Sequence, residues 1–186
     1  MALSFESSRL KVFEVPGDIG LSEREVLLNR IPEILTPSVV KHLPGYFHGI
    51  DSQEKAQAWL ARMLSESRLF LVKYAEDKSV EGKFIEGKSV EDSLIGFLFA
   101  VVENGRDAHI GYLLSEEYWG KGLANELLQG FILKSSKTEQ WVKLIGGVAP
   151  SNIASANLLK KLGFVEQTGG DNSVVFYEYK IPQPQS

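Results

Sequence analysis

The chain has 186 residues, enough for one domain with a sizeable core and marginal for two. Hydrophobic residues make up 44% and charged residues 24%, an ordinary globular balance with no apolar run long enough to span a bilayer. There is no cysteine, which excludes disulfides, thiolate metal sites and a cysteine nucleophile, and the net charge of -4 points away from nucleic acid as a partner.

The opening MALSFESSRLKVFEV lacks a basic stretch followed by a long apolar segment, so it does not read as a signal peptide. Together with the missing cysteines this fits a cytoplasmic protein. Arg9 to Val15 alternates apolar and polar residues and predicts a first strand, with Leu10, Val12 and Glu14 on one face. Pro16 and Gly17 end it. Ser22 with Glu25 reads as a capping box opening a helix over VLLNRIPEIL, which Pro32 should kink or shorten. Thr36-Pro37 starts a short second helical turn, and His42 to Gly49 reads as an aromatic, glycine-bearing loop. Asp51 with Glu54 reads as a second capping box, ahead of a helix through EKAQAWLARML.

Strands follow at Leu69 to Tyr74 and Leu94 to Glu103, separated by a polar segment at 75–93 read as an inserted hairpin or loop. His109 to Leu114 is a strand, and the turn from Tyr118 to Leu123 leads into a helix from Ala124 to about Lys134. Leu144 to Val148 is a strand. Ala154 to Leu162 is a helix stopped by Gly163, and strands at Phe164 to Gln167 and Val174 to Lys180 complete the pattern. The reading is a single mixed α/β domain over 1–181, with 182–186 as a disordered tail.

The stretch IGYLLSEEYWGKGLANELL, Ile110 to Leu128, carries the chemistry. A strand, a tight turn with Gly120 and Gly122, and a helix place free backbone N–H groups at a helix N-terminus, which favours phosphate. Glycine lets a ligand approach the backbone closely, and Lys121 adds a positive charge. The turn has neither GxGxxG nor GxxxxGK[ST], so it is neither a Rossmann fingerprint nor a nucleotide P-loop. His42, His48 and His109 are too few and too scattered for a zinc site.

WGKGLA at 119–124 resembles the pyrophosphate-binding motif [QR]xxGx[GA] of the GNAT N-acetyltransferases, in the WGKG form of the RimJ/RimL-type, ribosomal-protein N-terminal acetyltransferase branch. LIGF at 94–97, HIGYLLSEEYWGKGLANELL at 109–128 and APSNIASANLLKKLGFVEQ at 149–167 fall in family order. The resemblance implies the GNAT fold: a central, mixed, mostly antiparallel sheet flanked by helices and splayed between its fourth and fifth strands, at 109–114 and 144–148. It implies acetyl-CoA as co-substrate, no metal, and a primary amine as acceptor. A protein or peptide N-terminus is the preferred acceptor. The alternatives are a small-molecule amine, or a non-catalytic CoA-binding module. No nucleic-acid or membrane partner is expected, and the protein is read as a monomer or homodimer.

By the same resemblance, backbone groups of Leu113 and Leu114 meet the pantetheine arm. Those of Trp119, Gly120, Lys121, Gly122, Leu123, Ala124 and Asn125 take the pyrophosphate. Asn152 bonds the CoA arm or caps the following helix, and Ser155 completes the family's NxxS. The tyrosine that many members carry as general acid is here Leu159, which leaves Ser155 or water. His109 is the first candidate for general base and Glu103 the second, while Tyr112, on the opposite strand face from His109, reads as core. A free α-amine has a pKa of about 8, whereas deprotonating a lysine amine at neutral pH costs about 4 kcal/mol, so an N-terminal acceptor manages with a weak base. Tyr46, Phe47, His48 and Trp59 are candidates for the acceptor side.

Overall fold

The computed structural model describes residues 2–75, 94–169 and 173–183. The inserted segment expected at 75–93 lies, from 76 onward, outside the described residues, as does the tail from 184. The strands are β1 (Ser4–Glu6), β2 (Leu10–Glu14), β3 (Arg68–Tyr74), β4 (Leu94–Glu103), β5 (Asp107–Leu114), β6 (Lys143–Val148), β7 (Val165–Glu166) and β8 (Val175–Lys180). The helices are α1 (Leu21–Ile34), α2 (Pro37–Val40), α3 (Gln53–Glu66), α4 (Leu123–Thr138) and α5 (Ile153–Lys161). The strands form one sheet in the order β1-β2-β3-β4-β5-β6-β8-β7. Every neighbouring pair is antiparallel except β5 and β6, which run parallel. This is the mixed, mostly antiparallel sheet expected. β1 precedes the strands read from sequence, so the expected fourth and fifth strands are β5 and β6.

Both faces of the sheet are covered, which is why its central strands read as nearly unbroken apolar runs. Phe70 and Val72 of β3 point into one core with Leu98, Ala100, Leu127, Phe131 and Leu159, on the side of α4 and α5. Leu69 and Leu71 point into a second core with Leu28, Ile31, Trp59, Leu60 and Phe97, on the side of α1 and α3. The alternation is the pleat made visible. It is interrupted at one place: Val72 faces Gly96 while Lys73 faces Leu94, so Ile95 is an extra residue on β4. This bulge puts Ile95 in the same core as Leu98. Edge-on aromatic contacts tie each core together, Phe70 to Phe131 at 5.4 Å and Trp59 to Phe97 at 5.3 Å between ring centres. Among the described residues no helix is long and apolar enough to cross a membrane.

Two helix starts differ from the sequence reading. α1 begins at Leu21 with Gly20 as N-cap and no side-chain cap, so Ser22 lies inside the helix rather than in a capping box. α3 is capped by Ser52, whose Oγ accepts from Lys55 N–H at 3.2 Å, while Asp51 instead pairs with Lys55 Nζ at 2.8 Å. Pro32 does not end α1, which runs to Ile34. In an antiparallel frame the caps are chosen by where the packed face must begin, and the best local motif yields to that.

The far end of α4 is anchored by charge. Arg68 donates to Glu14 at 2.7 and 3.0 Å and to Glu139 at 3.0 Å, with its guanidinium 5.4 Å from the Trp141 ring centre. Burial opposes ionisation of Glu14. The hydrogen bonds from Arg68 and Leu3 N–H, with the Arg68 charge, outweigh it and hold the carboxyl below its usual range. A depressed carboxylate pKa stabilises the fold above the unfolded value of about 4.3, and that contribution is lost as pH falls through the folded value. Urea titrations from pH 7 to pH 3 are therefore expected to show stability falling on the acid side. Glu14→Gln should be less stable than wild type at pH 7 and show a shallower acid slope.

Candidate functional site

β5 and β6 pair over only four residues, from Asp107 with Lys143 to Ile110 with Gly146. Beyond that point the strands part: β5 continues through Gly111, Tyr112, Leu113 and Leu114 along β4, and β6 continues along β8. The parting leaves a cleft of about 840 Å³ between them. Its floor is β5 and β6, one wall is the turn opening α4, another is α5, and residues of α2 and the loop after it close the remaining side.

The turn is built for close backbone approach. Gly120 and Gly122 have φ of 71° and 75°, a left-handed conformation that resists other residues, and nothing lies within 4 Å of where a Gly120 Cβ would stand. Gly122 is the N-cap of α4 and supplies no side-chain cap. The first intrahelical bond is from Glu126 N–H to Gly122 O, so the N–H groups of Leu123, Ala124 and Asn125 precede the helical ladder. All three residues line the cleft. The Asn125 side-chain oxygen is buried there without a hydrogen-bond partner. An uncapped helix start opening onto this cavity fits the pyrophosphate of a CoA-type ligand.

The turn is held from both sides. Trp119 Nε1 donates to Leu114 O at 2.8 Å, which closes the end of β5 and gives a physical reason for tryptophan at the first motif position. On the other side Glu126 accepts from Ser7 Oγ at 2.6 Å, Arg9 N–H at 2.8 Å and Arg9 Nε at 2.9 Å. Arg9 Nη1 then donates to Lys121 O at 2.9 Å. Burial opposes the Glu126 charge, but these donors and the Arg9 charge hold its carboxyl below the usual range. Sequence reasoning missed Arg9 and Glu126 here. The available signal was Glu126 itself, an anion beside a phosphate cradle that calls for a cation to neutralise it.

The expected residues divide cleanly. Leu113, Leu114, Trp119, Gly120, Gly122, Leu123, Ala124, Asn125, Asn152 and Ser155 all line the cleft. Lys121 does not appear in its lining; its carbonyl is turned to Arg9 and its Nζ lies 5.3 Å from the Tyr118 ring centre. Asn152 caps α5, its Oδ1 accepting from Ser155 N–H at 3.3 Å. Tyr112 is not simply core: it lines the cleft, and its hydroxyl lies 2.9 Å from Ser155 Oγ.

The acceptor-side candidates stand apart from this cleft. Phe47 is fully buried, packed on Trp59 and Phe99, because its 3-10 turn (Gly45–Phe47) points inward. Tyr46 lies under Arg62 at 3.8 Å, and His48 bonds Leu43 O at 2.9 Å. None of these three lines the cleft; from the same region Ser38, Lys41 and His42 do.

His109 lies just before the strands part, on the sheet face shared with Gly111 and Leu113, outside the cleft lining. Its Nε2 is buried without a hydrogen-bond partner, and Glu103 Oε2 approaches to 3.4 Å, a charge contact without hydrogen-bond geometry. Its row across the sheet is Val101, His109, Ile145 and Glu178. Among the described residues no group of three or more His, Cys, Asp or Glu is placed to hold a metal ion.

Residues 28–165 match the sequence profile of the family described as "Acetyltransferase (GNAT) domain". Over 103 residues the chain is 33% identical to the uncharacterized N-acetyltransferase p20 of Bacillus licheniformis. That match covers 52% of this chain and 57% of the relative, so the chain spans little more than half the length of that protein. Among solved structures it is similar to RimL, a ribosomal-protein alpha-N-acetyltransferase, in complex with coenzyme A, with a TM-score of 0.69 and 14% identity over 97% of this chain and 98% of that one. It is also similar to a ribosomal-protein alanine acetyltransferase from Vibrio fischeri, with a TM-score of 0.66 and 20% identity over 96% of this chain and 97% of that one. At these identities the likeness is one of fold.

The double clamp on the turn makes a thermodynamic prediction. Arg9→Ala and Glu126→Ala should each destabilise the protein by about 2 kcal/mol, the scale of lost charge-assisted hydrogen bonds. Because both remove one network, the double variant should cost little more than either alone in chemical denaturation.

Proposed function

The chain belongs to the GNAT acetyltransferase family, and from that premise we propose that it transfers acetyl from acetyl-CoA to a primary amine, preferably a peptide N-terminus. The observation that carries this reading is the uncapped glycine turn opening α4 at the mouth of the cleft where β5 and β6 part. When bound, acetyl-CoA supplies an acetyl group activated as a thioester. Backbone N–H groups from Gly120 to Asn125 hold its pyrophosphate, and Asn152 and the edge of β5 that faces the parting hold its arm. Of Leu114 the N–H is left for it, because the carbonyl is engaged by Trp119.

The acceptor's chemistry follows from charge. Among the described residues that line the cleft, Glu116 is the one carboxylate, against Lys41, His42 and Lys161. That balance favours a peptide, with one ammonium group and an otherwise neutral backbone, over a polycation such as a polyamine. His109 serves as general base, with water carrying the proton to it. Its unpartnered Nε2 is the acceptor, and Glu103 steadies the imidazolium that forms. The acceptor nitrogen forms its bond to the acetyl carbon as the carbon–sulfur bond breaks. The electron pair goes to sulfur and the ammonium proton goes to His109 through water. No covalent enzyme intermediate is required.

The test is thiol release from acetyl-CoA with a panel of acceptors. Peptides with a free α-amine should turn over, and blocking that amine should abolish the signal. Spermidine and lysine side chains should be poor, and Gly122→Trp should lose both acetyl-CoA binding and turnover. Saturable binding with no turnover on any amine would instead establish a CoA-binding module without catalysis.

His109→Gln should lower kcat/KM by about 10²-fold. Turnover of peptides by His109→Gln at the wild-type rate would remove His109 from the mechanism.

A further inference from the structure

Tyr112 and Ser155 come from opposite sides of the parting strands, β5 and α5, and their hydroxyl oxygens meet at 2.9 Å. Tyr112 lies two residues beyond Ile110, the last β5 residue paired with β6. Both side chains line the cleft. Around them the lining from β6 and α5 is largely apolar, with Val148, Ala154, Leu158 and Leu159, and Leu159 fills the space above Gly146. Among the lining residues of β5, β6 and α5, Tyr112 and Ser155 are the two that carry hydroxyls. A serine hydroxyl has one proton. Tyr112 has one too: if Ser155 donates, the phenolic proton is the one left over, whereas if Tyr112, the more acidic hydroxyl, is the donor, the serine proton is free for another acceptor. Burial pushes the Tyr112 hydroxyl up, against the opposing effect of the Ser155 bond, so it keeps its proton and remains able to donate. Ser155 is fixed in turn by its N–H bond to Asn152.

Resting on the acetyl-CoA reading above, we propose that Tyr112 is a positioning residue, whose hydroxyl donates to Ser155 Oγ and so turns the Ser155 proton toward the sulfur of the leaving group. The bond that breaks is carbon to sulfur, and its electron pair stays on sulfur. Ser155 donates a hydrogen bond to that thiolate, and Tyr112 strengthens the donor by polarising it. No proton leaves Tyr112. The thiolate takes its proton from solvent as it departs.

The readout that isolates this arrangement is the acidity of bound CoA itself, followed by thiolate absorbance on titrating the complex. The bound thiol should be about three- to tenfold more acidic on wild type than on Tyr112→Phe or Ser155→Ala, the scale of one hydrogen bond. Tyr112→Phe should add nothing in the Ser155→Ala background, and 3-fluorotyrosine at 112, a stronger donor, should acidify the thiol further. In turnover Tyr112→Phe should lower kcat by a similar factor with KM for acetyl-CoA unchanged. Equal thiol acidity on wild type and Tyr112→Phe would overturn the proposal, and so would a Tyr112→Phe effect that persists without Ser155. Failure of wild type to bind CoA would instead remove the parent reading, and CoA binding without acetyl transfer would leave the thiol titration to decide the role of Tyr112.

Discussion

The short parallel pairing of β5 and β6 is the constraint on which the site depends. A sheet strand has hydrogen-bonding groups on both edges, and parting two neighbours leaves the inner edges without partners. Here the pairing stops at Ile110 and Gly146, and each strand continues along its other neighbour. The opening is thus backed on both sides by complete antiparallel ladders. Gly146 and Gly147 at the parting leave room for Leu159 on one face and for Phe176 on the other. Larger residues there would press the neighbouring side chains into the gap.

The glycine turn depends on that parting in its turn. α4 packs Leu127, Leu128 and Phe131 against the sheet, which fixes its direction. Trp119 ties the start of the turn to the last carbonyl of β5, and the Arg9–Glu126 pair ties its end to the turn between β1 and β2. Two left-handed glycines carry a strain cost for any other residue, and these bonds spare the turn from relying on a ligand to keep its shape.

Much of this was legible in the sequence because it was local. β4 and the strand–turn–helix of β5 and α4 follow from periodicity and glycine placement, and the family resemblance supplied the splay. What was not legible came from contacts between distant positions. Arg9 and Glu126 are separated by 117 residues, and Tyr112 and Ser155 by 43. Strand alternation put Tyr112 on the face opposite His109, which is correct, but that face borders the cleft as well as the core. Phe47 was an acceptor-side candidate by resemblance, and here its loop turns inward to fill a core between α3 and β4. The capping boxes failed for the same reason: tertiary packing set the helix starts.

The Arg9–Glu126 clamp also sets an order of events for the newly made chain. β2 cannot find its carboxylate until the first turn of α4 has been synthesised, more than a hundred residues later, and loop closure over that span is slow and entropically costly. Until then the hairpin of β1 and β2 has its local bonds, such as Leu10 N–H to Ser7 Oγ, but Arg9 lacks its carboxylate. The glycine turn gains its second anchor only when Arg9 and Glu126 meet. A translation fragment that stops short of α4 carries the glycines but lacks the carboxylate that holds them to the start of the chain.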